Sequence, residues 1–162
     1  MNLDALDVTG QASEPATRAE LADIAESLGP MPAGYAAIVT RFGFCAIGDY
    51  VRVYPPSALE ALTREWRQRV TDYWFWDLTD VGLTKEEVQA GFSPADTFDG
   101  DEVVVVPGRA DLLLLPRASD VGVRLDPDLR MAVAQVLERS GYPPATSVET
   151  FSTEELPGSG ES

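Results

Sequence analysis

The chain has 162 residues, 44% of them hydrophobic, with 12 basic residues against 27 acidic ones, one cysteine and no histidine. Its length suits one domain with tails, and its apolar fraction is enough for a core. A net charge of −15 repels nucleic acid and anionic membrane surfaces and favours a basic protein partner, because opposite fields steer encounter.

Residues 1–16 are acidic and show no sustained period, so they read as a mobile acidic arm in which Leu3, Leu6 and Val8 are the residues able to dock. Thr17-Arg18-Ala19-Glu20 is a capping box, and Leu21, Ile24, Ala25 and Leu28 follow it at helical spacing. Gly29-Pro30 ends that helix. Pro32 fits the first turn of a second helix, whose apolar face is Tyr35, Ile38, Val39 and Phe42. Strands are expected over 44–47 and 50–54 around Gly48-Asp49, with Val51 and Val53 facing the core.

Ser57-Ala58-Leu59-Glu60 reads as a second capping box, opening a long helix marked by Leu59, Leu62, Trp66, Val70 and Tyr73. The aromatic run Tyr73-Trp74-Phe75-Trp76 fits either the end of that helix or a strand, and the helix end is the preferred reading. An acidic connector over 77–90 contains Thr84-Lys85-Glu86-Glu87, a cap for one short helix. The centre of the fold is a hairpin, Asp96-Thr97-Phe98-Asp99-Gly100-Asp101-Glu102. Asp99-Gly100 is expected there as a two-residue turn with positive φ at both positions. Val103 to Val106 suit a strand buried on both faces, and Leu112 to Leu115 form the next strand. Asp126-Pro127 is expected to open the last helix, lined by Leu129, Ala132, Val133, Val136 and Leu137. Residues 142–162, rich in Pro, Ser, Thr, Gly and Glu, read as a disordered acidic tail. The expected domain is therefore 17–141.

No residue set states a reaction. Without histidine the chain lacks the commonest general base and metal ligand. Cys45, in an apolar strand, reads as a buried inert thiol. Asp96, Asp99, Asp101 and Glu102 are spaced 1, 4, 6 and 7, which does not match the alternate positions of a calcium loop. A metal-dependent enzyme is thus the remotest reading, and no catalytic residue, metal or cofactor is expected. Four consecutive aromatics cannot all face one core, so at least one of Tyr73, Trp74 and Trp76 is expected at the surface, where such residues make binding hot spots. The expected contact residues are that aromatic set with the acids Asp99, Asp101 and Glu102. The beginning of the chain has no basic segment followed by an apolar run, and no stretch approaches about 18 apolar residues. Neither a signal peptide nor a membrane span is expected, and the expected location is the cytoplasm.

Three motifs in order carry a family resemblance. Leu28-Gly29-Pro30-Met31-Pro32-Ala33-Gly34-Tyr35 resembles the L-G-x-x-L-P-x-x-Y opening of the SUKH superfamily (SMI/KNR-like domains), with Met31 where leucine is usual. Val51-Arg52-Val53-Tyr54-Pro55-Pro56 followed by Leu59 resembles its strand-to-helix step, and Ala95 to Glu102 its A-D-T-x-D-G-D hairpin. The segment 44–50 lacks part of the usual glycine-rich turn. The resemblance implies a single α+β domain with a mainly antiparallel sheet and helices packed against it, and no catalysis. It also implies a bacterial immunity-type protein that neutralises a basic nuclease- or deaminase-like toxin domain by binding it. A regulatory or scaffold adaptor of the same fold, with no toxin partner, is the alternative.

Overall fold

The computed structural model describes residues 1–154 and Leu156. Eight strands form one mostly antiparallel sheet: β1 (Asp7–Gly10), β2 (Cys45–Ile47), β3 (Val51–Val53), β4 (Phe92–Thr97), β5 (Glu102–Val105), β6 (Leu112–Leu115), β7 (Val123–Leu125) and β8 (Ser147–Thr150). Their spatial order is β1-β8-β2-β3-β4-β5-β6-β7. Five helices pack on it: α1 (Arg18–Leu28), α2 (Tyr35–Phe42), α3 (Pro56–Asp72), α4 (Lys85–Gln89) and α5 (Leu129–Arg139). The fold is a single α+β domain, as the sequence implied.

Strand alternation divides the core in two. On one face Val51, Val53, Val103, Leu112 and Leu114 are buried against Tyr35, Ile38 and Phe42 of α2 and Leu129, Val133 and Val136 of α5. On the other, Val104, Leu113 and Leu115 meet Trp66 and Val70 of α3, Val88 of α4, and Leu78 and Val81 from the connector. This is why Val103-Val104 and Leu112 to Leu115 read as continuous apolar runs: both their faces are covered. Each such side chain contributes roughly 1.5–3 kcal/mol by burial. The Tyr35 hydroxyl donates to the Tyr54 carbonyl at 2.7 Å and ties α2 to the end of β3.

Local capping signals hold where the partner residues sit in one turn. Thr17 with Glu20 and Thr84 with Glu87 form both reciprocal bonds of a capping box. Three expected helix starts shift. Helix α3 begins at Pro56, whose missing N–H is harmless in a first turn, and Ser57 lies inside the helix without acting as its cap. Helix α2 begins after Gly34, and Pro32 precedes it. Helix α5 is capped by Asp128, which accepts from the Arg130 amide, while Asp126 accepts from the Asp128 amide one turn earlier.

The expected termini are corrected. Strand β8 lies inside the sheet, between β1 and β2, with Val148 and Thr150 buried. Strand β1 runs parallel beside it, the Asp7 amide donating to the Thr146 carbonyl and the Gln11 amide to the Thr150 carbonyl, both at 2.9 Å. Leu3 and Leu6 are buried in the first core, whereas Val8 is exposed. Residues 1–16 are therefore packed onto the domain, and the segment expected as a disordered tail supplies a strand. The physical reason is the alternation Ser147-Val148-Glu149-Thr150, which presents two β-branched side chains to one face. Glu155 and residues 157–162 of that tail lie outside the described residues. Among the described residues no helix is long and apolar enough to cross a membrane.

If β8 is a sheet strand, Val148→Asp leaves an unpaired carboxylate in the core and should cost roughly 4 kcal/mol or more. Urea denaturation followed by tryptophan fluorescence reads this as a large fall in midpoint, or as loss of the folded state. An unchanged midpoint contradicts the placement of β8.

Candidate functional site

The outer row of the sheet's second face is charged. Arg52 on β3 pairs in register with Asp96 on β4, and Asp96 with Glu102 on β5. The two carboxylates thus stand directly opposite one another, an arrangement that destabilises a sheet unless cations intervene. Two arginines do. The Arg52 guanidinium forks onto Asp96 at 2.7 and 3.0 Å, and Arg69 of α3 reaches Glu102 at 2.6 Å. The Tyr54 hydroxyl adds a bond to Asp96 at 2.8 Å.

This row floors a cleft of about 500 Å³ between the hairpin and the end of α3. Arg69, Tyr73, Phe75, Trp76 and Arg117 also line it, with Val70 and Gly100. On the far side of Arg52, whose guanidinium lies 5.1 Å over the Phe98 ring, a second hollow runs between Phe98, Phe44 and Phe151.

The aromatic wall exists because α3 stops at Asp72. Tyr73, the helix C-cap, has dihedrals of φ −128° and ψ 75° that are neither helical nor extended, and the run is neither a helical turn nor a strand. Trp76 fixes the chain's exit: its indole N–H donates to the Pro116 carbonyl at 2.7 Å. The Trp74 indole N–H donates to the Trp76 carbonyl at 2.9 Å, and the two rings meet edge to face. Both tryptophans pack half-buried on the second core. The free aromatics are Tyr73, 73% exposed, and Phe75, 51% exposed. Of the three aromatic contact residues expected from sequence, then, Tyr73 is presented to solvent, while Trp74 and Trp76 are half-buried. Phe75 was missed, because periodicity does not say which member of an irregular run points outward.

The hairpin acids also separate. The connection is a three-residue loop, Phe98-Asp99-Gly100, since the Thr97 amide bonds to the Asp101 carbonyl and the Gly100 amide to the Thr97 carbonyl. Only Gly100 has positive φ, +94°, as in hairpins that end in a left-handed residue; the expected two-residue turn is corrected on that ground. A Cβ there would also sit 2.9 Å from Arg117 Cδ. Asp99 is exposed at the tip and accepts from the Tyr50 hydroxyl at 2.9 Å. Asp101 is half-buried and accepts from the Arg117 amide and the Thr97 hydroxyl. Glu102 is buried and lines the cleft, which Asp99 and Asp101 do not.

Burial pushes the Glu102 carboxyl up to about 7 from an ordinary 4.5; Arg69 opposes the shift and the facing Asp96 adds to it. Asp96 is raised by burial as well, with Arg52 and Tyr54 opposing. The cleft holds no nucleophile. Cys45 is fully buried in the first core, and burial pushes its thiol up to about 12. Among the described residues no three His, Cys, Asp or Glu side chains come together as metal ligands.

A run of contacts from the first core to the cleft floor joins three separated stretches of chain. Tyr35 bonds to Tyr54, Tyr54 and Arg52 to Asp96, and Asp96 faces Glu102. No family model matches this chain, and neither a curated protein nor a solved structure matches it.

The raised Glu102 carboxyl has a signed consequence for stability. The unfolded chain loses that proton near pH 4.5, the folded chain near pH 7. The folded state binds the extra proton between these values, so stability falls as pH rises through the window, by up to about 3 kcal/mol. The groups facing Glu102 are Arg69 and Trp66 on α3, Asp96 on β4 and Arg52 beyond it, and Asp96 is shifted in the same sense. The chain has no histidine to add a slope of its own. Urea denaturation at pH 5 and pH 8 should show Glu102→Gln with a clearly smaller difference than the wild type. An equal difference in both proteins would remove Glu102 from the account.

Proposed function

We propose that this chain is a non-catalytic protein-binding module that docks a basic protein through the mouth of the cleft. Its specific form is an immunity-type inhibitor of a basic, nuclease- or deaminase-like toxin domain, acting in the cytoplasm. The observation that carries the reading is the pair Tyr73 and Phe75, large aromatics held out to solvent at the cleft in a chain of net charge −15. Exposed aromatics of this kind are costly to leave bare and are the residues that anchor interfaces. The surrounding negative field speeds encounter with a basic surface and repels nucleic acid, which lets the protein compete for a nuclease without binding its substrate. The SUKH resemblance supports the same reading. Its three motifs are the stretches that meet through Tyr35, Tyr54 and Asp96, and their role is to build the fold, leaving the aromatic rim free to vary.

The test is co-expression with the product of the adjacent gene, scoring survival and co-purification. Tyr73→Ala and Phe75→Ala should each weaken the complex about tenfold or more, chiefly in dissociation rate. Asp99→Asn should slow association and flatten its salt dependence. A complex that forms with unchanged affinity in both aromatic variants contradicts the docking surface.

A further inference from the structure

The cleft floor has hydrogen-bonding capacity left over, and most of it is of one kind. We propose that this floor is a binding site for a small anion carried on a planar ring, a carboxylate or phosphate attached to an aromatic group. This site shares Tyr73 and Phe75 with the docking surface but does not rest on that reading.

Three of the chain's 12 basic residues, Arg52, Arg69 and Arg117, line this one cleft, against two carboxylates, Asp96 and Glu102. A guanidinium offers five N–H donors. Arg69 uses one nitrogen, on Glu102, and its side chain is 55% exposed. Arg117 lies across Gly100, and its guanidinium makes no ion pair among the described residues. The acceptors are largely used: Asp96 takes two bonds from Arg52 and one from Tyr54, and Glu102 takes Arg69.

A second donor is stranded more deeply. Trp66 is 3% exposed, and its indole N–H faces the Glu102 carboxyl without closing a hydrogen bond to it. It lines a recess of about 70 Å³ that shares Arg69, Asp96 and Glu102 with the cleft. A buried donor without an acceptor is a standing cost that a ligand oxygen or a bridging water relieves.

An unmet set of donors selects an acceptor-rich ligand, and forked guanidinium groups select carboxylate or phosphate. The walls select the rest of the molecule. Tyr73, Phe75 and Trp76 offer ring faces and edges above the arginines, and about 500 Å³ lies within the range of small-molecule pockets. Glu102 adjusts to such a guest: burial holds its carboxyl near neutral, so it can keep its proton and donate when an anion enters.

The chain has three tryptophans, so a proton–nitrogen correlation spectrum contains three indole signals, from Trp66, Trp74 and Trp76. Titration with phenyl phosphate should shift the Trp66 and Trp76 signals saturably. Inorganic phosphate should do so more weakly, and benzylamine, which has the ring with the opposite charge, should not. Arg117 is exposed, so Arg117→Gln should fold as the wild type does, checked by its denaturation midpoint, and should bind phenyl phosphate about tenfold more weakly. Absence of a saturable shift overturns the proposal. So does an equal response to benzylamine, or full affinity in Arg117→Gln. None of these results bears on capture of a protein by Tyr73 and Phe75, which is read in the complex.

Discussion

Two carboxylates opposite one another on adjacent strands, closed in by a helix, are the constraint on which the working face of this protein rests. Asp96 and Glu102 are both drawn out of water, and neither is tolerable there alone. Their compensation comes from two directions, Arg52 along the sheet and Arg69 from α3 above it. That geometry requires α3 to pass over β4 and β5 at the height of Arg69, and it places the helix end, with Tyr73 and Phe75, at the cleft mouth. The apolar half of the same face, Val104, Leu113 and Leu115 under Trp66 and Val70, supplies the burial that holds the helix in place. Charge decides where the helix sits over the outer row, and apolar contact decides that it stays.

The rim and the floor differ in character. The rim carries the exposed aromatics Tyr73 and Phe75, on a molecule that is strongly acidic overall. The floor holds arginines, and the adjoining recess an indole N–H that closes no hydrogen bond. An acidic surface around a recess that holds three arginines would separate the two proposed guests, a basic protein outside and a small anion within. Long-range steering depends on net charge and falls with salt, whereas forked bonds in the recess depend on local donors and persist.

Much of this was legible in the sequence, for reasons that can be named. The Thr17 and Thr84 caps, the paired strands around Gly48-Asp49 and the doubly covered valine and leucine runs are local patterns, and they fold as read. What escaped depended on distant partners. Strand β8 was hidden in a stretch whose composition resembles a tail, and its place between β1 and β2 is set by strands more than a hundred positions away. The aromatic run leaves the helix because Trp76 bonds to Pro116, forty residues on, which no periodicity reveals. Strand alternation puts Glu102 on one face with Val104, which the reading of the hairpin acids as one contact set passed over, and its burial under Arg69 is a tertiary fact. Hence the acids expected as one patch divide into a tip, a tether and a floor.

The central claim is that Glu102 lies desolvated on the cleft floor beside Asp96 and under Arg69. The direct measurement is a carbon-13 titration of its side-chain carboxyl in the folded protein. The account predicts a midpoint near 7. A midpoint at the ordinary glutamate value of about 4.5 would contradict it, because the carboxylate would then be solvated and the floor described here would not exist.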